Sequence, residues 1–141
     1  MITFSQFQTK YNGKFVDFDG NKKFWCVDLM RRFLVDVLGL SGWALPAVGG
    51  AKELYTKFSP SSGFTRTKNV WNDLNNYPKP GDIVVWGWYL GVTGIDGHVG
   101  ICTWADGKNL IVFNQNYPTN IASVLRKFDY RGVLGWLRPT K

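Results

Sequence analysis

The sequence predicts an α+β fold in which helices come first and an antiparallel sheet follows. Three observations support this class. Apolar residues near the N-terminus recur at helical spacing, runs rich in β-branched and aromatic residues dominate after position 81, and an Asp-Gly turn signal separates two of those runs. The chain has 141 residues, of which 45% are hydrophobic and 16% aromatic, so it is long and apolar enough for one domain with a buried core.

The helical part is predicted from apolar spacing and from residues that begin or end helices. A short first helix is expected to begin near Thr3 or Ser5. Residues 25–38 predict a second helix, because their apolar residues recur at helical spacing until Gly39 ends the pattern. Residues 50–58 predict a short third helix, and the segments around it are expected to be loops, with one further helical turn near Trp71.

Five strands are predicted in the second half of the chain, at 82–89, 98–105, 110–117, 124–130 and 132–139. The Asp-Gly-Lys-Asn stretch that follows Ala105 is typical of a hairpin turn. The strand that begins at His98 and the strand that contains Asn114 are therefore expected to be neighbours in the sheet.

The charge of the chain is strongly positive, at +7 from 17 basic and 10 acidic residues. The basic side chains are scattered and match no nucleic-acid-binding motif, so the charge indicates anionic surroundings without selecting nucleic acid, membrane or wall polymer. No apolar run reaches the length of a membrane span. The N-terminus lacks the basic and then apolar pattern of a signal peptide, so synthesis in the cytoplasm is expected.

The two cysteines lie in different settings. Cys102 belongs to an apolar run and is expected to be a buried structural residue. Cys26 follows an acidic loop and opens the second predicted helix, where the partial positive charge and unpaired N–H groups of the helix terminus favour a thiolate. His98 is the only histidine, and a lone histidine is more often structural than catalytic.

The order of polar residues along the chain nevertheless fits nucleophilic catalysis. Cys26 at a helix N-terminus precedes His98 on a strand, and a polar residue follows on the next strand. An imidazole within reach activates a thiol, and a third group holds the imidazole in one tautomer and direction. Asn114 and Asn116 are the candidates for that group, because alternate residues of a strand face the same way.

The chain resembles the CHAP domain, the cysteine, histidine-dependent amidohydrolase/peptidase found in phage endolysins. Five short segments carry the resemblance: DFDG…CVDL at 17–29, KPGDIVVWG at 79–87, GHVGI at 97–101, NQNY at 114–117 and GWLRP at 135–139. The resemblance implies a papain-like α+β fold, with N-terminal helices packed on a C-terminal antiparallel β-sheet. It also implies cleavage of amide bonds in bacterial peptidoglycan.

Residue by residue, the resemblance makes Cys26 the nucleophile and His98 the general base. Asn114 stands where the family commonly has glutamate, and Asn116 matches the asparagine two positions later. An amide oxygen at position 114 can still accept the N–H of the ring, but it stabilises an imidazolium less than a carboxylate does.

Two aromatic residues near these positions are candidates for substrate contact. Trp25 stands where the family often has a glutamine before the cysteine, so the main-chain N–H of Cys26 remains as the donor to an oxyanion. Trp25 and Tyr117, which follows Asn116, are expected to border a substrate groove.

The acidic loop before Cys26 resembles the calcium site of some family members. The implied ligands are the side chains of Asp17, Asp19 and Asp28 and the carbonyls of Asn21 and Lys23. Calcium takes six to eight oxygen ligands, most of which such a set supplies. The other interpretation is a solvated acidic turn with Asp28 placed favourably near a helix N-terminus.

The resemblance implies a phage peptidoglycan hydrolase with a Cys-His thiol mechanism, either an endopeptidase or an N-acetylmuramoyl-L-alanine amidase. The alternative is a catalytically silent cell-wall-binding module. Residues 1–141 are expected to be a single CHAP catalytic domain, either alone or as the catalytic part of a longer lysin. A wall-binding domain or chain would then be a partner beside peptidoglycan, while nucleic acid and membrane insertion are not expected. Such a lysin would leave the host cytoplasm with the help of a holin.

Overall fold

The computed structural model describes residues 1–88 and 94–140, and its helices precede its sheet. Helix α1 spans Phe4–Tyr11, α2 spans Cys26–Asp36, α3 spans Glu53–Thr56, and a single 3-10 turn spans Pro60–Ser62. Thr3 caps α1, because its Oγ1 accepts the Gln6 N–H at 3.1 Å while the Gln6 side chain accepts the Thr3 N–H at 2.9 Å. The third helix is shorter than the sequence indicated.

Six strands in the described ranges form one sheet, in which every neighbouring pair is antiparallel and the order is β1-β6-β2-β3-β4-β5. The strands are β1 Phe64–Lys68, β2 Ile83–Trp86, β3 His98–Ala105, β4 Asn109–Asn114, β5 Val124–Asp129 and β6 Val133–Pro139. The predicted end of β2 at Tyr89 and the start of the turn expected at 91–97 lie outside the described residues. The expected α+β architecture, with helices first and an antiparallel sheet after them, is confirmed.

The sequence interpretation missed strand β1. Phe64 is its one buried residue, and the polar residues that follow it show no apolar alternation. The strand exists because it pairs along the outer side of β6, with Phe64 opposite Pro139 and Lys68 opposite Gly135. Such pairing depends on distant backbone and leaves no local pattern.

The sheet is buried on both faces. Ile83, Val85 and Val99 pack against Met30 and Leu34 of α2 on one face. A second cluster covers the other face and contains Val84, Trp86, Cys102, Val112 and Trp136. Side chains alternate along a strand, so His98 projects to the same face as Cys102, opposite to the face that holds Val99. No helix in the part of the chain that the structure describes is both long and apolar enough to span a bilayer.

Candidate active site

Cys26 is the first residue of α2 and is partly exposed. The main-chain N–H of Trp25, which caps the helix, donates to Asp28 Oδ2 at 2.9 Å. The main-chain N–H groups near the sulfur, those of Val99, Val27 and Cys26 itself, lower the pKa of the Cys26 thiol in part. The contact with Val99 places the sulfur against β3, next to the residue that begins that strand.

His98 begins β3 and is 3% exposed. Its ring packs among three aromatic rings, with centroids 5.5 Å from Trp86, 5.4 Å from Tyr117 and 6.3 Å from Phe128. These rings shield the imidazole from water and restrict its orientation.

Asn114 determines which nitrogen of that imidazole carries hydrogen. His98 Nε2 lies 2.8 Å from Asn114 Oδ1, and Asn114 Nδ2 donates to the Val124 carbonyl at 2.9 Å. Because the amide nitrogen is committed to β5, its oxygen faces the ring and accepts. Nε2 therefore carries the hydrogen, and Nδ1 is left unprotonated in the neutral ring.

Cys26 and His98 face one cavity of about 450 Å³. Trp25 and Tyr117 border the same cavity, so the structure brings together the expected nucleophile, base and groove residues. The Trp25 side chain is 47% exposed at its rim. Asn114 is buried behind His98 and does not reach the cavity.

Both reactive groups are neutral in the free protein. Burial raises the pKa of the Cys26 thiol to about 11, although backbone hydrogen bonds lower it in part. Burial lowers the pKa of His98 to about 4, opposed by the Asn114 hydrogen bond and reinforced by the charge of Arg126. Desolvation therefore opposes the thiolate that the helix terminus is expected to favour, and it outweighs the nearby backbone N–H groups.

Asn116 borders the cavity from the turn that follows β4, and not from the strand itself as expected. Strand β4 ends at Asn114, and Asn116 has a left-handed backbone with φ +64°. Its Oδ1 accepts the Asn120 N–H at 2.7 Å, within a turn that borders the cavity. The expectation that Asn114 and Asn116 share one strand face is wrong, because the chain turns between them.

Gln115 is a positioning residue that the sequence interpretation did not single out. It is 1% exposed, and its amide exchanges hydrogen bonds with the N–H and C=O of Val16 at 2.7 and 2.9 Å. Its Nε2 also donates to the Trp25 carbonyl at 2.9 Å, directly before Cys26. Ser123 Oγ donates to its Oε1 at 3.1 Å. The one feature of the sequence that could have indicated a role for Gln115 is its position between the two candidate residues Asn114 and Asn116.

The acidic loop gathers Asp17, Asp19 and Asp28. One carboxylate oxygen from each lies within 4.8 Å of the others. Burial raises the pKa of Asp28, and the nearby charges of Asp19 and Asp17 raise it further. Two oxygens on opposite sides of a calcium ion are about 5 Å apart, so the spacing and the all-oxygen donor set fit a hard cation.

The two residues expected to offer carbonyl ligands lie in the same loop. Asn21 donates from its main-chain N–H and from Nδ2 to the Asp19 carboxylate, both at 3.2 Å. The Lys23 N–H donates to Asn21 Oδ1 at 2.8 Å. Asp17 accepts the N–H groups of Gly20 and Lys22, so the loop curls around its acidic side chains.

Comparison with known proteins gives one family and several similar structures. A family model described as CHAP domain matches residues 17–116, which is most of the chain. No curated protein matches the chain. The wild-type endolysin LysIME-EF1 superposes with a TM-score of 0.72 at 24% identity, over 99% of this chain and 65% of that one.

Two structures of Ly7917 are also similar in fold. One has a TM-score of 0.59 at 20% identity and covers 90% of this chain and 56% of that chain. The other, with the hydrolyzing product of MDP, has a TM-score of 0.57 at 19% identity and covers 82% and 53%. The chain thus spans between about half and two thirds of the length of these proteins, and the likeness establishes a shared fold.

Proposed function

This chain belongs to the CHAP domain family, and from that premise we propose that it is a phage peptidoglycan hydrolase that cuts an amide bond of the bacterial wall. One observation carries the proposal. Cys26, at the start of α2, and His98, held in one tautomer by Asn114, face the same cavity.

The chemistry follows from the neutral pair. As the Cys26 sulfur attacks the substrate carbonyl, the thiol proton passes to Nδ1 of His98, the S–C bond forms, and the carbonyl electron pair moves to oxygen. His98 then protonates the leaving nitrogen as the C–N bond breaks, which leaves an acyl group on sulfur. Water adds to this thioester and gives its proton to His98, and the departing sulfur recovers it.

The protein stabilises the charges that this sequence creates. The main-chain N–H of Cys26 lies at the start of a helix, where it has no intrahelical acceptor and can donate to the oxyanion. The imidazolium that forms transiently is buried, and its Nε2–H keeps a hydrogen bond to Asn114 throughout. Because the pKa of the Cys26 thiol is raised, its proton would pass to His98 during the attack and not before it.

Trp25 and Tyr117 are the proposed substrate-contacting residues. Both border the cavity, and the Tyr117 ring lies against His98. They would contact the peptide near the scissile amide, with Asn116 beside Tyr117. The bond is either a peptide bond of the stem or crossbridge or the N-acetylmuramoyl–L-alanine amide.

Clearing of purified cell walls tests the proposal. The parent should clear walls, Cys26→Ala should not, and Cys102→Ala should, since Cys102 is the other thiol and lies in the core. Mass spectrometry of the fragments then identifies the bond, because an amidase frees the lactyl carboxylate of muramic acid and an endopeptidase frees new peptide termini. Equal clearing by the parent and Cys26→Ala would refute the proposal. Wall binding without clearing by the parent would favour the silent binding module.

We also propose that Asp17, Asp19 and Asp28 hold a calcium ion, with the carbonyls of Asn21 and Lys23 as further ligands. The support is the convergence of three carboxylates on one point. Burial, and to a smaller extent the charges of Asp19 and Asp17, raise the pKa of Asp28, and a cation would offset both effects. The ion would supply positive charge that ties the loop to α2, the helix that carries Cys26.

Thermal unfolding tests the calcium site independently of activity. Calcium should raise the midpoint of the parent and a chelator should lower it, because an ion that binds only the folded state stabilises it. Asp19→Asn should abolish this response, whereas Asp106→Asn, in the β3–β4 turn, should keep it. A parent whose midpoint ignores both calcium and chelator would exclude the site.

A further inference from the structure

We propose that the end of the sheet opposite the active site carries a second binding site, which takes a neutral saccharide. The site is a cleft of about 320 Å³ between the loop 69–76, the β3–β4 turn at 107–108 and the β5–β6 turn at 129–131. We call it the Trp71 cleft. That its ligand is the glycan strand of the wall rests on the proposed function.

The Trp71 cleft is bordered by an unusual concentration of exposed apolar side chains. Trp71 is 67% exposed, Leu74 is 55% exposed and Val70 is 49% exposed, and all three line the cleft. Three such residues within five positions form an apolar patch, and such patches mark binding surfaces. The flat indole of Trp71 offers a face for the C–H side of a sugar ring, because the face of an aromatic ring is electron-rich.

The loop that presents these residues is held in place before any ligand arrives. Asn69 donates from Nδ2 to the Val133 carbonyl at 3.1 Å, and Asn76 donates from Nδ2 to the Lys68 carbonyl at 2.9 Å. A Cβ at Gly107 would lie 2.4 Å from the Leu74 carbonyl oxygen, so glycine lets the turn and the loop touch. A loop fixed in this way loses little entropy when it binds.

The polar groups of the cleft match hydroxyl and acetamido groups. Asn69 and Asn76 commit their amide nitrogens to the protein, which leaves their Oδ1 atoms as acceptors for a ligand hydroxyl. Asn72 is exposed at the same cleft and offers both a donor and an acceptor. Ligand pockets of this kind combine aromatic contact with a few placed polar groups.

The charge of the cleft favours a neutral ligand. Asp73 and Asp129 are balanced by Lys108 and Arg131, and Arg131 pairs with Asp129 at 2.9 Å. The chain as a whole carries +7, so this cleft departs from the basic character of the molecule. A cleft whose acidic and basic residues are equal in number attracts a polyanionic wall polymer only weakly. The binding of an uncharged sugar does not depend on such attraction.

The Trp71 cleft is separate from the catalytic cavity. His98 begins β3 and Gly107 follows its end, and eight residues at about 3.3 Å each span about 25 Å. Two sites that grip one polymer raise its effective concentration at each of them. The cleft would hold a glycan strand while the catalytic cavity engages a stem peptide.

Soluble oligomers of N-acetylglucosamine, the uncharged sugar of the wall glycan, are the probe, with binding measured by isothermal titration calorimetry on the full chain. The parent should bind, Trp71→Ala should bind at least about tenfold more weakly, and Trp104→Ala should bind as the parent does. Trp104 is a matched control because it is 47% exposed on β3 and lies outside the cleft. Unchanged thermal midpoints of both variants check that they are folded.

Three outcomes would overturn the proposal: no glycan binding by the parent, equal binding by Trp71→Ala, or a Trp71-dependent self-association in place of glycan binding. Because the glycan carries no peptide bond, this test does not depend on catalysis. Cys26→Ala should retain glycan binding, so a failure of the proposed hydrolysis and a failure of this site give different results. Trp71→Ala should also cleave small soluble wall fragments at the parental rate.

Discussion

Replacing Asn114 by alanine tests how the imidazole of His98, the proposed base, is held. The side chain is 1% exposed and links His98 Nε2, at 2.8 Å, to the Val124 carbonyl, at 2.9 Å. Alanine removes both hydrogen bonds and leaves the buried N–H of His98 and the partly buried carbonyl of Val124 without these partners. The unfolding free energy should fall by about 1–3 kcal/mol for each group left unsatisfied.

The loss of activity should exceed what the loss of stability explains. The bond to Asn114 strengthens when His98 becomes an imidazolium, so it stabilises the transition state more than the ground state. A hydrogen bond to a charged group contributes about 1.5–3 kcal/mol. This corresponds to a fall in kcat of about 10- to 150-fold, with KM nearly unchanged.

A second substitution separates the two roles of the Asn114 side chain, as hydrogen-bond acceptor from His98 and as donor to Val124. Asn114→Asp keeps an oxygen for His98 but, like alanine, cannot donate to Val124. A carboxylate about 4 Å from the imidazolium contributes up to ~4 kcal/mol at an effective dielectric constant of 20, which would raise the pKa of His98 from about 4 by about 2 to 3 pH units. Since neutral His98 is the proposed base, the acid limb of kcat/KM should move to higher pH.

The assay is the pH dependence of cleavage of a soluble wall fragment by the parent and the two variants. The expected order is a large loss of kcat in Asn114→Ala, with an acid limb at higher pH in Asn114→Asp. A kcat of Asn114→Ala within twofold of the parent, or an acid limb that stays in place in Asn114→Asp, would refute this role of Asn114.

Three further predictions concern protonation and positioning. In a Cys102→Ala background, the difference in absorbance at 240 nm with and without Cys26→Ala, which removes the tyrosinate signal, should show no thiolate at pH 7 and an increase toward pH 11, since burial raises the pKa of Cys26; a thiolate at neutral pH would contradict this. The unfolding free energy in urea should fall by up to about 3 kcal/mol from pH 6.5 toward pH 4, because unfolded His98 has the higher pKa and binds the proton first. His98→Gln should lose this slope, and an equal slope would exclude His98 as its source. Gln115→Leu should lower the unfolding free energy by about 3 kcal/mol in the same assay, because the partners of its amide, including the Trp25 carbonyl, are left buried; an unchanged midpoint would contradict that role.

The long helix and the central strands could be predicted because their residues repeat with the period of the element. The apolar residues of α2 face one side, and β3 was predicted with the bounds that it has, from His98 to Ala105. Strand β1 could not be predicted, because only Phe64 is buried and pairing with β6 is a long-range event. The local sequence pattern indicates which residues of an element are buried. It does not indicate which distant strand an edge strand such as β1 pairs with.

The members of the candidate site could be predicted, but their protonation could not. The neighbouring strands place His98 against Asn114 as expected, because the hairpin signal determines which strands pair. The state of Cys26 depends on desolvation by residues far away in sequence, which outweighs the local effect of the helix terminus. A helix N-terminus is visible in the sequence, whereas burial of its first residue is a property of the fold.

The end of β4 shows the same limit. Alternation predicted one face for Asn114 and Asn116, but the chain turns after the strand and puts Asn116 in a left-handed conformation. Gln115 thereby points to the loop before Cys26, where Val16 and the Trp25 carbonyl lie almost a hundred positions earlier in the chain. No local pattern reports contacts of that separation.

The most direct measurement of the central claim is the mass of the enzyme during turnover. When a reaction with wall fragments is quenched in acid and the protein is digested, the peptide that contains Cys26 should carry the mass of the acyl part of the substrate. The same peptide from Cys26→Ala should carry no added mass, and that variant should release no product. Product release by Cys26→Ala at the parental rate would contradict the assignment of the nucleophile.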